Sequence, residues 1–207
     1  MTVIQPFAEG PQAVLRLTPW DSKSFGFATS EITSISYRQA SEIALLLGEV
    51  DRWNMANGVA QCVTRIKVTD DAMKAAIQEC GFYFAETSFR LSKLNLARCD
   101  LNSITIKRLC LRPAESGDRT AVQSIAATDF RFGRFQEDPY LEKGLAKVRH
   151  VNWVGDLLDQ GLLYVAVLKD QIVGFHAERL SGNGKEADLI LTGTAGRYSM
   201  LSLPLWV

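Results

Sequence analysis

The chain has little with which to hold a metal ion. Its four cysteines, Cys62, Cys80, Cys99 and Cys110, form no Cys-x-x-Cys pair, and there are two histidines, His150 and His176. That pattern excludes the common structural zinc sites and reads as reduced thiols of a cytoplasmic protein, with no metal among the expected ligands. Charge of one sign is missing too: Lys plus Arg and Asp plus Glu number 23 each. With no net basic field, nucleic acid is not an expected partner, although a local basic patch stays open. No apolar run reaches the roughly 18 residues of a membrane span, and the N-terminus lacks a basic segment followed by an apolar one. What is present is an ordinary globular composition, 47% apolar and 22% charged over 207 residues. That length accommodates one large domain or two small ones and supports a real core.

Two halves can be read along the chain. In the first, "YRQASEIALLLGEVDRW" (residues 37–53) repeats Ile43, Leu46, Leu47, Val50 and Trp53 at helical spacing. "GVAQCVTRIKV" (58–68) alternates as a half-buried strand. "DDAMKAAIQEC" (70–80) opens on two aspartates and stops at Gly81, as a helix does. "FYFAETSFRLSKL" (82–94) reads as another strand, and the polar stretch 97–107 as a link. The second half opens with a strand in "LCLRPA" (109–114) and an amphipathic helix in "ESGDRTAVQSIAATDF" (115–130). A loop rich in arginine and aromatics, "RFGRFQEDPY" (131–140), leads to a helix over 140–160 with Pro139 at its first turn. "LLYVAVL" and "QIVGFHAERL" then form strands around a Lys169-Asp170 hairpin, and "SGNGKE" turns into the strand "ADLILT".

A strand, two helices, a three-strand meander and then a glycine-containing turn resemble the acyl-CoA N-acetyltransferase (GNAT) superfamily. "LTPWDSKSFGFATSEI" (17–32) is similar to an N-terminal signature of acetyltransferases of amino-sugar nucleotides, in which a tryptophan, an acidic residue and a Phe-Gly pair recur. "GRFQEDPYLEKGLAKVRHVNWVGDLL" (133–158) resembles that group's Arg-Phe and Asp-Pro region. The tyrosine of its Tyr-x-x-Trp is absent here. In these segments the chain resembles the TDP-fucosamine acetyltransferases. The resemblance implies an α+β fold, a mixed, mostly antiparallel sheet flanked by helices. It divides the chain into a reduced GNAT-like domain at 1–100 and an acetyltransferase domain at 108–207, without the latter's closing strands and helix. Either a second chain, as in a homo-oligomer, or a missing segment is then expected to complete the sheet.

The resemblance also implies acetyl-CoA as cofactor, its pyrophosphate held by a strand-to-helix turn. The matching residues are Leu191, Thr192, Gly193, Thr194, Ala195, Gly196, Arg197 and Tyr198. Gly196 fits the central glycine, whereas Gly193 and Tyr198 depart from the family pattern. Pro204 would interrupt the helix that follows. Read without the resemblance, Gly-Thr-Ala-Gly only turns the chain from strand to helix. An amine attacks a thioester when neutral, so the site must take a proton and steady a growing oxyanion. A bulged strand at 189–192 could spare a backbone N–H for the oxyanion. Glu178 and Asp188 are the candidate catalytic carboxylates, acting through water, or else solvated strand-end charges. His176 fits a hydrogen-bonded structural histidine better than a base.

Arg131 and Arg134 are candidates for gripping a nucleotide diphosphate. Phe135, Phe132 and Tyr140 either stack on the acceptor or anchor the loop. Trp20 and Phe25 read as core residues. The expected function is transfer of acetyl from acetyl-CoA to a nucleotide-linked amino sugar such as a TDP-amino-dideoxyhexose. The alternatives are a degenerate, non-catalytic fold that binds a partner, and transfer to another small amine or a protein N-terminus.

Overall fold

Periodicity in the first half translates into one sheet and the helices that cover it. In the computed structural model, which describes residues 1–6, 10–95, 98 and 109–201, the chain divides into two units, Met1–Phe84 and Ala85–Val207. The link expected at 97–107 lies, apart from Arg98, outside the described residues. Both units are α+β, each with one mostly antiparallel sheet and flanking helices.

The first unit runs β1 (Thr2–Ile4), β2 (Gln12–Leu17), α1 (Pro19–Phe25), β3 (Ala28–Ser36), α2 (Ser41–Ala56), β4 (Val59–Thr64) and α3 (Asp71–Glu79). Strands β1, β2 and β3 are antiparallel neighbours, and β4 lies parallel to β3. A parallel pair needs a crossover, which α2 supplies. The α2 residues Ile43, Leu46, Leu47 and Val50 are all buried. Leu46 and Val50 close over Ala13, Leu15 and Ile32 of the sheet, while Ile43 and Leu47 meet Met73 and Ile77 of α3. Asp70 caps α3 by accepting the Met73 N–H at 3.0 Å.

Residues 82–94 differ from expectation: they form no strand. Alternating apolar residues describe a surface that fits a sheet, and without a neighbouring strand that preference is not realised. Phe84, Phe89, Leu91 and Leu94 accordingly stay exposed, while Phe82 packs against the core of the first unit.

The second unit runs β5 (Leu109–Pro113), a 3-10 turn (Ser116–Asp118), α4 (Arg119–Asp129), the single turn α5 (Arg134–Glu137), α6 (Lys143–Asp159), β6 (Leu163–Leu168), β7 (Gln171–Leu180), β8 (Ala187–Thr194) and a second 3-10 turn (Gly196–Leu201). Its sheet has the order β5-β6-β7-β8, every pair antiparallel. Leu163, Val165, Phe175 and Ala177 face Val122, Ile125 and Ala126 of α4 and Val154, Leu157 and Leu158 of α6. Both long helices therefore lie on one face of the sheet. The β6–β7 hairpin turns on Lys169 (φ 50°) and Asp170 (φ 59°), both left-handed, the backbone of the mirror-image turn that suits twisted strands. Helix α6 begins at Lys143, later than expected. Pro139 precedes it, in a turn where Asp138 Oδ1 accepts the Tyr140 N–H at 2.8 Å. Among the described residues no helix is long and apolar enough to cross a membrane.

Candidate functional site

Strand β8 is the edge of its sheet, and its register slips once. Ala177 pairs with Leu191 and Glu178 with Leu189, so Ile190 is an extra residue, a bulge inside the segment where one is expected. Ile190 and Leu191 both pack toward the helix-covered core. Beyond the bulge, Gly193 and Thr194 still belong to the strand. A Cβ on Gly193 would lie 2.6 Å from the Phe175 ring, so this glycine is needed for close packing. The Thr194 N–H donates to Asp129 Oδ2 at 3.0 Å, and the Ala195 N–H to the Val173 carbonyl at 2.9 Å.

The turn begins only at Gly196, where a Cβ would meet nothing within 4 Å. Its first amides, those of Gly196 and Arg197, head a 3-10 turn and by position lack a partner within it. The Tyr198 N–H closes that turn on the Ala195 carbonyl at 2.6 Å. Arg197 donates to Gln171 Oε1 at 2.8 Å and lies against the Tyr198 ring. Of the eight expected cofactor residues, Leu191 to Ala195 thus lie in or directly after the sheet, and Gly196 to Tyr198 form the turn. The helix that Pro204 would interrupt lies, from Ser202 onward, outside the described residues.

Across the sheet from the helices, three polar side chains converge. His176 and Glu178, two apart on β7, share a face, and His176 pairs across the sheet with Thr192. His176 Nδ1 lies 2.7 Å from Thr192 Oγ1, and its Nε2 lies 3.5 Å from Glu178 Oε2. Burial pushes the imidazole below its ordinary pKa of 6.5, against the pull of Glu178, so the ring is neutral at pH 7 and the Glu178 contact is not an ion pair. Tyr164 of β6 pairs with His176 from the other side. Asp188 is elsewhere. It pairs with Arg179, on the opposite face from Glu178, beside a shallow cleft lined by Leu180, Ser181 and Glu186. The two carboxylates singled out from the sequence do not meet.

The arginine loop is built around Phe135, which is buried. The Arg134 guanidinium lies 4.5 Å from the centre of its ring and that of Arg149 5.7 Å. His150 meets the Phe135 ring edge-on and stacks on Phe130 at 4.6 Å. His150 Nδ1–H donates to the Ala146 carbonyl at 2.9 Å, and burial, aided by the nearby Arg149 and Arg134 charges, lowers its pKa below 6.5. Phe135 therefore anchors the loop. Arg131, Phe132 and Tyr140 are exposed; Arg131 donates to the Thr128 carbonyl at 3.4 Å. Arg149 and His150 join this cluster although the sequence pattern does not single them out. The one signal for them is their place a turn before Trp153, whose ring Arg149 also covers at 5.1 Å.

The N-terminal signature has a structural reading in its own unit. Thr18, Ser22 and Thr29 tie α1 to β3 through a knot of hydroxyls, with Thr18 Oγ1 and Thr29 Oγ1 2.6 Å apart. Phe25 is buried as expected. Trp20 is not, being 38% exposed with the Arg16 guanidinium 5.1 Å from its ring.

No family model matches this chain, and no curated protein is significantly similar to it.

Proposed function

We propose that this chain is an acetyl-CoA-dependent N-acetyltransferase of GNAT type, acting on the amino group of a nucleotide-linked amino sugar. The observation that carries the reading is the bulge at Ile190 in β8, six residues before a turn that opens on Gly196, within a meander whose two long helices cover one face. Such an arrangement suits a thioester cofactor, with a strand amide for the carbonyl oxygen and helix-start amides for the pyrophosphate.

The residues fit the cofactor in part. The amides of Gly196 and Arg197, with open space around Gly196, suit a phosphate, whereas those of Thr194 and Ala195 are already engaged. When bound, acetyl-CoA supplies the activated acetyl group. The chain's own contribution is to hold the diphosphate at Gly196 and Arg197, to offer a β8 amide near the bulge, and to bring the acceptor in past Arg131 and Arg134.

A thermal unfolding scan with millimolar acetyl-CoA tests this, with the midpoint expected to rise. Thiol release in the presence of amino sugars tests turnover. A second reading has one observation in its favour: the Asp129 carboxylate occupies the Thr194 amide. On that reading the protein is a binding module of the same architecture without turnover. It predicts acetyl-CoA stabilisation, or none, with no thiol released for any acceptor.

A further inference from the structure

We propose that Thr192, His176 and Glu178 form a proton relay whose outlet, Thr192 Oγ1, takes the proton from the attacking amine. The inference rests on the acetyl-transfer reading and names the group that reading leaves open.

The two histidines of this chain make opposite arrangements. His150 lies in an aromatic cluster and gives its Nδ1 hydrogen to a backbone carbonyl of its own helix, as a structural histidine does. His176 lies on the sheet face away from α4 and α6, so the core between sheet and helices does not need it. Side chains address both of its ring nitrogens, a hydroxyl on one and a carboxylate on the other. With Glu178 accepting from Nε2–H, Nδ1 is left to accept the Thr192 hydroxyl hydrogen. That is the order of an activated hydroxyl, a base and the group that orients the base. Thr192 stands two residues past the Ile190 bulge and four before Gly196, between the two places where the thioester cofactor would be held. Among the described residues, the titratable groups set around His176 include Glu178 on its own strand, Tyr164 on β6, and Tyr198, which packs onto this face at Ala166 and Val173. The neutral ring expected from its burial is the form the relay requires.

The step balances without a further reactant. As the amine nitrogen bonds to the carbonyl carbon, its N–H proton passes to Thr192 Oγ1, whose own proton passes to His176 Nδ1. The C–S bond then breaks, the electron pair leaves on sulfur, and the proton returns through Thr192 to give the thiol. Histidine and threonine end as they began. Glu178 is a positioning residue, holding the tautomer and the transient imidazolium.

With only two histidines, nitrogen NMR of labelled protein at neutral pH reads both rings with no substrate present. The expected result is a His176 protonated on Nε2, with an Nδ1 resonance that shifts in Thr192→Val. A ring protonated on Nδ1 overturns the relay, because it cannot receive the threonine proton. In a thiol-release assay with acetyl-CoA and a panel of amino sugars, Thr192→Val and His176→Gln are expected to lose about 10²- to 10⁴-fold in kcat/KM. His176→Gln should keep the wild-type thermal stabilisation by acetyl-CoA, and Thr192→Ser should retain most of the rate. The acid limb of the pH profile should lose the His176 ionisation in His176→Gln and keep only that of the acceptor amine. A His176→Gln variant with the wild-type rate and profile overturns the relay and leaves acetyl transfer standing. A wild-type chain that neither gains stability from acetyl-CoA nor releases thiol overturns both, and does so whichever tautomer the spectrum shows.

Discussion

Burial acts on single side chains here in two measurable ways. The first is through charge. His150 and His176 both have folded-state pKa values lowered from 6.5, chiefly by desolvation. As pH falls through 6.5 the unfolded chain takes up these protons before the folded one, so stability is present above that pH and is lost as acid approaches the depressed values. The midpoint of thermal unfolding should therefore decline from pH 7 to pH 5, and His150→Gln should flatten part of that slope. The second is through volume. Gly193→Ala would set a methyl against Phe175, a case of overpacking expected to cost about 1–3 kcal/mol by urea denaturation. Adding Phe175→Leu should recover part of the loss. The glycine is visible in the sequence, but its reason is not, because that reason is a ring on the neighbouring strand that only the β7–β8 register brings near. His176 and Glu178 have a readable two-residue spacing, whereas Thr192 completes the cluster through the same register.

Elements whose signals are local are legible in the amino-acid sequence itself. The α2 stripe, the α3 cap and the Lys169-Asp170 turn depend on neighbours a few residues away, and each has the form its sequence implies. Asp70→Ala, which leaves the Met73 amide uncapped, is expected to destabilise by about 1 kcal/mol in chemical denaturation. The hairpin offers the converse. Lys169 does not favour positive φ and Asp170 adopts it less readily than glycine, so replacing the pair by Asn-Gly should stabilise the hairpin. If that variant unfolds at lower urea than the parent, the left-handed geometry of this hairpin is wrong. Elements that depend on a distant partner are not legible in this way. Residues 82–94 have the alternation of a strand and no strand pairing, and α6 starts late because Asp138 and Pro139 make a turn of their own.

At the scale of the whole molecule, the division into two halves is legible along the chain, whereas the α+β class is what the GNAT resemblance implies. The function proposed for the second unit makes a regional prediction. Amide hydrogen exchange with and without millimolar acetyl-CoA should slow at residues 189–201 and stay unchanged in β1 to β4. Protection confined to the first unit would count against the proposed cofactor position. The Asp129 carboxylate on the Thr194 amide also has a consequence for any anion arriving at this turn. The berth proposed at Gly196 and Arg197 thus has a negative tenant next door, on the Thr194 amide, and an arriving anion meets a standing repulsion. Neutralising the tenant with Asp129→Asn should tighten a dianion's hold, and the gain should shrink as added salt screens the contest.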